Sequence, residues 1–192
     1  YGDYFSRSVD IDGDVMIIGA EADDDNGSSS GSAYIYEYDS GSGVWLEQKL
    51  LADDGVAYDQ FGAAVAVSGD TAIVGAIGSG ATFNATPGYA YIFVRNGTTG
   101  VWEQQQKLNA SDGATDDFFG IAVAIDGDKA AVGATGTASY NGAVYMFSRD
   151  ASTGIWSEEQ KVLNSSNSAF DNFGTAIDID GINMIVGADG DW

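Results

Sequence analysis

The chain has 192 residues, is 44% hydrophobic, and carries 29 acidic against 7 basic residues, for a formal net charge of −22. This size and apolar content are enough for a packed core and exclude a disordered acidic tail. So negative a surface repels nucleic acid and anionic lipid, and we expect neither as a partner. No apolar run approaches the roughly 20 residues that span a bilayer, so direct membrane insertion of this segment is not expected.

Cysteine and histidine are both absent. Their absence excludes disulfides and thiol chemistry, and it removes the commonest general base and the commonest zinc ligand. Carboxylates remain as candidates for acid–base catalysis, but they lie in turns at repeated positions, which is a structural pattern. The sequence therefore predicts a protein that is not an enzyme, with no catalytic residues.

One segment recurs four times along the chain. It begins at a phenylalanine and reaches a Gly-Ala pair 14 residues later; the four phenylalanines are Phe5, Phe61, Phe119 and Phe173. Within a copy, small and aliphatic residues alternate up to a two-residue turn such as Gly69-Asp70, where glycine tolerates a positive φ. The pattern predicts two antiparallel strands joined by a tight hairpin.

A second block follows the first in three copies. An aromatic run precedes a Gly-bearing turn and a tryptophan, which is Trp45, Trp102 or Trp156. The block predicts a third and a fourth strand, and no stretch has helical periodicity. Four short strands per unit of about 50 residues are typical of a β-propeller blade. We predict an all-β fold of four-stranded antiparallel blades at 3–58, 59–116 and 117–170, with a partial blade at 171–192, about 3.4 blades in all.

Side-chain size supports this interpretation. The first two strands of each copy are rich in Gly, Ala and Val, and the later two carry Tyr, Phe and Trp. Blades taper toward a crowded axis, so small residues are expected inside and large ones outside. We expect the repeated aromatic residues to pack between blades.

The phrases FGAAVAVSGDTAIVGA, GYAYIF and VWEQQQKLNASDGATDDFFG resemble FG-GAP repeats, the family of the integrin α-subunit propeller, and most of all its secreted and cell-surface branch in microbes and algae. The resemblance covers essentially the whole chain. It implies a β-propeller, usually of seven blades, that acts outside the cell in adhesion or binding. Since closed propellers have about 4–8 blades, we expect the repeats to be part of a larger propeller of about seven blades, completed by a longer chain or by other chains.

Calcium is the one cofactor that the residues suggest, and no cofactor is certain. Integrin-type repeats often carry a DxDxDG loop, but the candidates here, 10–14 and 178–181, sit in turns too short to wrap an ion that takes about 6–8 oxygens. The run from Asp23 to Gly27 is the denser acidic cluster, with Asp23 and Asp25 as candidate calcium ligands. The alternative is a solvated acidic turn.

Aspartates also recur two residues before the repeated phenylalanines, at Asp3, Asp59, Asp117 and Asp171. A short aspartate accepting backbone N–H bonds in a tight connection is the simpler interpretation.

Loop lengths locate the variable surface. The interval from the repeat glycine to the third-strand aromatic changes from copy to copy, so variation is concentrated in the loop between the second and third strands. In an up-and-down blade this loop shares a face with the connection to the next blade. We expect a ligand to bind on that face.

Five N-x-[ST] sequons lie in predicted loops, and their asparagines are Asn26, Asn84, Asn96, Asn109 and Asn164. Such sequons are N-glycosylation acceptors in secreted proteins, so we expect a secreted or cell-surface glycoprotein. A bacterial surface protein would show the same sequence without glycans.

These observations favour a non-catalytic extracellular module for adhesion, ligand binding or surface structure. Its partners would be an extracellular protein or glycan, or copies of itself. One alternative is a structural subunit of an extracellular filament or coat in which neighbouring chains complete the propeller. A second is an accessory domain of a secreted hydrolase.

Overall fold

The computed structural model describes residues 2–78, 86–165 and 170–190 and is all-β apart from one short helix, which confirms the predicted fold class. The strands are β1 (Phe5–Asp12), β2 (Val15–Ala20), β3 (Ser32–Asp39), β4 (Val44–Leu50), β5 (Phe61–Ser68), β6 (Thr71–Ala76), β7 (Tyr89–Arg95), β8 (Trp102–Leu108), β9 (Phe119–Asp126), β10 (Lys129–Ala134), β11 (Ala143–Arg149), β12 (Trp156–Leu163), β13 (Ala176–Asp180) and β14 (Asn183–Gly187). The helix α1 covers Thr137–Tyr140.

The strands form antiparallel sheets in chain order. β1–β4, β5–β8 and β9–β12 are four-stranded, and β13 pairs with β14 alone in the described part of the chain. We call these the first, second and third blades and the half-blade. Each hairpin between the first two strands turns at a glycine with positive φ, such as Gly69 at 54°. Glycine is used there because L side chains are strained in that conformation.

The core lies between successive blades. Phe61, Tyr91 and Trp102 of the second blade pack with Ile17 and Ile35 of the first in one buried cluster. The third blade contributes the same repeat positions to a second cluster, between itself and the second blade. The predicted packing of the repeated aromatic residues between blades is therefore confirmed for the second and third blades, whereas Phe5 and Trp45 of the first blade are exposed.

The glycines that give the repeat its Phe-Gly and Gly-Ala signature meet across each blade junction. A Cβ added to Gly75 of the second blade would overlap the carbonyl oxygen of Gly120 in the third. A Cβ on Gly120 would in turn overlap the carbonyl oxygen of Tyr89. The two backbones are so close that only glycine fits at both positions.

Connections between blades lie beside the loops between second and third strands, as predicted. The N–H of Phe61 donates to the carbonyl of Ser30 over 3.0 Å, and the N–H of Phe119 donates to the carbonyl of Pro87 over 2.8 Å. The N–H of Phe173 donates to the carbonyl of Asn141 over 3.1 Å. Each loop is thus tied at its end to the first residue of the next blade.

Candidate binding face

We define the loop face as the three loops 21–31, 77–88 and 135–142 with the blade connections beside them. Of the second loop the structure describes 77–78 and 86–88. All three loops end at a glycine that forms a parallel bridge to the next blade; the pairs are Gly31 with Phe61, Gly88 with Phe119, and Gly142 with Phe173. A constant frame therefore carries loops of different length and sequence.

Asp23, the first predicted calcium ligand, lies at the base of the first loop. Its Oδ2 accepts hydrogen bonds from Ser32 Oγ (3.0 Å), Tyr34 OH (3.3 Å) and Lys49 Nζ (2.8 Å). Its Oδ1 accepts the backbone N–H of Asp25 over 3.1 Å. The Lys49 ammonium also lies 2.5 Å from Asp25 Oδ2, so it is placed between the two predicted ligands.

These bonds set the ionisation of both partners. Burial by itself raises the pKa of Asp23, but the hydrogen bonds from Lys49 and Ser32 outweigh it and leave that pKa below its ordinary value. Burial likewise lowers the pKa of Lys49, and the bonds to Asp23 and Asp25 outweigh it and raise that pKa. The carboxylate and the ammonium are both charged at neutral pH.

The calcium assignment stays a prediction. Within 2–78, 86–165 and 170–190, no group of three or more acidic side chains is arranged to hold a metal ion. The ammonium of Lys49 already balances the charges of Asp23 and Asp25. Calcium bound by these two aspartates would have to displace it.

In the second and third blades, the repeated tyrosine and lysine bind an aspartate from a different part of the chain. Tyr91 OH and Lys107 Nζ bind Asp54 over 3.0 and 2.7 Å, and Asp54 belongs to the connection from the preceding blade. Tyr145 OH and Lys161 Nζ bind Asp112 in the same way, each over 2.8 Å. In the first blade, Tyr34 and Lys49 therefore bind the carboxylate of Asp23, which belongs to the same blade. In the later blades, the equivalent carboxylate comes from the connection that precedes the blade.

Sequence reasoning missed this Tyr–Lys–Asp group, although its signal was present. Tyr34, Tyr91 and Tyr145 recur at one position of the third strand, and a lysine recurs near the end of the fourth. An Asp-Gly pair follows the fourth strand at 54–55 and 112–113. Three side chains from two blades had to be brought together before their charges could be recognised as one group.

Two of the recurrent aspartates of the blade connections have the predicted role of accepting backbone N–H bonds. Asp59 Oδ2 accepts the N–H of Val56 over 2.8 Å, and Asp117 Oδ2 accepts the N–H of Ala114 over 2.7 Å. Asp171 Oδ2 instead accepts a bond from the side-chain amide of Asn164 over 2.8 Å. These carboxylates stabilise the connections.

Two clefts near the propeller axis bear on the hydrolase alternative. A cleft of about 420 Å³ is lined by one carboxylate, Glu21, which forms an ion pair with Arg7. A cleft of about 210 Å³ is lined by Asp10 and Asp178. Asp10 accepts the N–H groups of Ile11 and Val67, each over 2.8 Å, which is a structural use of the carboxylate.

The sequons lie in different environments. Asn26 and Asn109 are exposed, and Asn96 Oδ1 accepts the N–H groups of Thr98 and Thr99 in a turn. Asn164 is partly buried, and Asn84 lies outside the described residues. Glycosylation of these asparagines stays a prediction.

An aromatic group is exposed at the far end of the loop face. The ring of Tyr140 stacks on Phe170 with centroids 6.0 Å apart and an interplanar angle of 15°, and it lies 6.4 Å from the ring of Phe118. All three residues have positive φ, a conformation that costs free energy in residues with a bulky side chain. Tyr140 belongs to α1, whereas the first loop, 21–31, contains no helix.

The helix α1, the one helix in the described ranges, has four residues and falls far short of the length and apolarity needed to cross a membrane.

Successive four-stranded antiparallel blades pack face to face. This arrangement defines the chain as a β-propeller repeat protein. The profile of the FG-GAP repeat matches residues 1–36, 45–93, 102–147 and 156–192, and the chain belongs to that family. Among solved structures it is similar to Sqt1 of Saccharomyces cerevisiae, with 11% identity and a TM-score of 0.50. The alignment covers 85% of this chain and 36% of that one, and at this identity it shows the fold alone. No curated protein matches.

Proposed function

We propose that this FG-GAP repeat chain is a non-catalytic extracellular module that adheres to a protein or glycan ligand through its loop face. The observation that carries the proposal is the contrast between frame and loops. Gly31, Gly88 and Gly142 hold the loop ends in one repeated geometry, while the loops themselves differ in length, charge and aromatic content. Proteins commonly place binding residues on loops of this kind, above a rigid scaffold.

The uses of the repeated acids support a non-catalytic role. Asp54, Asp112 and Asp117 bind side chains or backbone groups that hold adjoining elements together. The paired carboxylates of a glycosidase would instead flank a substrate cleft. Asp10 and Asp178 line the same cleft, so they provide the test of the hydrolase alternative.

The extracellular location is proposed on the sequons and on the acidic surface. Purification of the protein from its source, followed by enzymatic removal of N-glycans, tests it directly. We expect a fall in mass that maps to Asn26 or Asn109, because these two asparagines are exposed. An unchanged mass would contradict the glycoprotein assignment.

A loop exchange tests ligand binding. Residues 21–30 would be replaced by the sequence of 135–141, because both loops end at an equivalent bridged glycine. The probes are immobilised glycans and extracellular-matrix proteins. We expect the exchange to abolish binding of the probe that the parent chain retains, while the fold remains intact.

The matched control exchanges the turn 40–43, which joins the third and fourth strands on the opposite face, for the sequence of 97–100. It should bind as the parent does. Equal binding by both chimeras would contradict the assignment of the loop face. Turnover of a glycoside or ester panel that is lost in Asp10→Asn or Asp178→Asn would contradict the non-catalytic role.

Calcium is tested separately by titration of the metal-free protein with calcium chloride. If Asp23 and Asp25 bind the ion, Lys49→Met should tighten binding, because calcium then displaces no ammonium. Asp25→Asn should weaken it. The absence of measurable binding by both the parent and Lys49→Met would contradict the assignment of Asp23 and Asp25 as calcium ligands.

A further inference from the structure

Three asparagines of the chain are followed directly by a glycine: Asn26, Asn96 and Asn141. In such a pair the backbone nitrogen of the glycine is able to attack the side-chain carbonyl of the asparagine, because glycine has no Cβ to obstruct the approach. The three pairs lie in different surroundings. These surroundings determine which of the asparagines reacts.

The attacking nitrogen differs in availability among the three pairs. Gly97 is exposed, and its N–H donates to no group in the described part of the chain. The N–H of Gly27 donates to the carbonyl of Asp24 over 3.0 Å, and the N–H of Gly142 donates to the carbonyl of Thr137 over 3.2 Å. Attack by either of these two nitrogens first requires the loss of a hydrogen bond, which costs free energy. Attack by the nitrogen of Gly97 does not.

The side-chain carbonyl of Asn96 is bound by two backbone N–H groups. Its Oδ1 accepts the N–H of Thr98 over 3.0 Å and the N–H of Thr99 over 3.2 Å. Attack at Cγ moves negative charge onto this oxygen, so both donors are aimed at the atom on which charge develops. Enzymes of acyl transfer stabilise their tetrahedral intermediates with the same arrangement of N–H groups. The turn therefore lowers the barrier to attack on Asn96.

We propose that Asn96 is a site of self-modification, at which the folded chain converts this asparagine to aspartate and isoaspartate without an enzyme. The nitrogen of Gly97 forms a bond to Cγ of Asn96, and the bond from Cγ to Nδ2 breaks. Nδ2 leaves as ammonia with the proton of the Gly97 nitrogen, and a five-membered succinimide remains. Water then opens the ring at the former side-chain carbonyl to give aspartate, or at the main-chain carbonyl to give isoaspartate.

The turn is also suited to the carboxylate of the aspartate product. Asp39 and Asp150 hold the position of Asn96 in the first and third blades. Asp150 Oδ1 accepts the N–H groups of Ser152 over 2.8 Å and Thr153 over 2.9 Å, which are the counterparts of the two bonds to Asn96. Hydrogen bonds of this kind strengthen when the acceptor is charged. The aspartate product therefore keeps the native turn.

The isoaspartate product has a different effect, because it adds a methylene to the backbone. In the turn, the N–H of Gly100 donates to the carbonyl of Asn96 over 2.7 Å, and the N–H of Asn96 donates to the carbonyl of Val101 over 2.8 Å. A longer backbone at residue 96 disrupts both bonds. We expect isoaspartate to loosen the hairpin between β7 and β8.

Self-modification and glycosylation use the same atom of Asn96. An N-glycan attaches to Nδ2, which is the atom that leaves as ammonia. A chain that carries a glycan at Asn96 therefore does not release this nitrogen as ammonia, and a converted chain no longer accepts a glycan there. The inference does not rest on the proposed function of the loop face.

The rates of conversion in the full chain test the proposal. The protein would be produced in a host that attaches no N-glycans and incubated at mildly alkaline pH. Mass spectrometry of its peptides, with chromatographic separation of the aspartate and isoaspartate forms, follows each of the three asparagines. We expect Asn96 to convert at least about tenfold faster than Asn26 or Asn141 in the folded chain.

The same measurement in urea separates the effect of the fold from that of the Asn-Gly pair. Unfolding releases the N–H groups of Gly27 and Gly142, so Asn26 and Asn141 should convert faster. Unfolding also removes both donors from Asn96 Oδ1, so Asn96 should convert more slowly. The two changes have opposite directions in one sample.

Two variants of the turn test the chemistry, and melting temperatures show that they fold. Gly97→Ala adds a Cβ to the attacking residue and should slow conversion about tenfold. A Cβ at Gly97 meets no atom within 4 Å, so the fold tolerates it. Thr98→Pro removes one of the two N–H donors and should slow conversion about tenfold or more. Thr98→Ala is its matched control, because it keeps the N–H and should convert as the parent does.

Three outcomes would overturn the proposal. Asn96 could convert no faster than Asn26 in the folded chain. Its conversion could accelerate in urea, which would mean that the turn protects this residue. Thr98→Ala could slow conversion as much as Thr98→Pro does, which would show that the backbone N–H does not stabilise the reaction.

Discussion

The first and second blades carry aromatic residues at equivalent positions but bury them differently. Trp45 of the first blade is 42% exposed, whereas Trp102 of the second is 3% exposed and donates its indole N–H to Glu37 of the first blade over 2.5 Å. Both tryptophans lie at the beginning of the fourth strand of their blade. The difference teaches that the preceding blade, rather than the blade's own sequence, determines whether a repeat position is buried.

Substitution of the repeat glycines should change the free energy of unfolding most, and the change should depend on whether an adjoining blade contacts the glycine. Gly75→Ala places a Cβ against the backbone of Gly120, whereas a Cβ on Gly187 of the half-blade would lie 3.3 Å from Ala176 Cβ, which is able to shift. We expect Gly75→Ala to lower the free energy of unfolding by about 3 kcal/mol or more, or to prevent folding. Gly187→Ala should change it by less than about 1 kcal/mol. Urea unfolding of both variants measures the difference, and equal losses would contradict the role of the next blade.

The tryptophans provide the second test. Trp102→Ala removes a buried side chain and its bond to Glu37, and should cost about 3–5 kcal/mol of unfolding free energy. Trp45→Ala should cost about 1 kcal/mol, because its ring is exposed. Chemical denaturation followed by far-UV circular dichroism measures both. A cost for Trp45→Ala as large as that for Trp102→Ala would mean that a neighbour covers the whole outer part of the first blade.

Smaller losses of unfolding free energy are expected on substitution of the glutamines that link the fourth strands of neighbouring blades. Gln106 Nε2 donates to the carbonyl of Trp156 over 2.7 Å, and Gln106 Oε1 accepts the N–H of Trp156 over 2.9 Å. Gln106→Ala should lower the unfolding free energy by about 1–2 kcal/mol, since two backbone groups lose their partner. Gln160 holds the same position in the third blade and is exposed, so Gln160→Ala is the matched control and should be nearly neutral in thermal melts. A comparable loss in both would show that this bond is not what holds the strands together.

The smallest effect concerns the turns between third and fourth strands. The hydroxyl of Ser152, with the N–H groups of Thr153 and Ser152, lowers the pKa of Asp150 from its ordinary 3.8 to about 2. A pKa lowered by folding means that this contribution to stability is full above about pH 4 and is lost as the pH falls through 2. Asn96 makes the equivalent turn without a charge.

Asp150→Asn should therefore flatten the fall in urea midpoint between pH 4 and pH 2. NMR titration of the Asp150 carboxyl carbon checks the pKa itself. A titration near 3.8 in the folded protein would contradict the assignment.

Much of the fold was predictable from periodicity. The interval from each phenylalanine to its Gly-Ala pair, and from each third-strand aromatic to its tryptophan, indicated four strands per unit. These features are local in sequence, so spacing reports them. The acceptor role of Asp59 and Asp117 was predictable for the same reason, because both residues bind groups three positions away.

The candidate site was less predictable, because its groups are distant in sequence. Asp10 and Asp12 resembled fragments of a calcium loop, but they bind the N–H groups of Val67 and Gly69, 57 residues away. Asp23 and Asp25 were recognised as an acidic pair, while Lys49 between them was not. Spacing carries no information about which distant cation neutralises a given carboxylate.

The sequence by itself determined the repeating unit, its four strands, the glycines of its turns and the location of the variable loops, since these depend on neighbours in the chain. The tertiary structure decided which copies of a repeated residue are buried and which carboxylates face a cation. Identical motifs differ in these respects because burial and charge pairing depend on the adjoining blade.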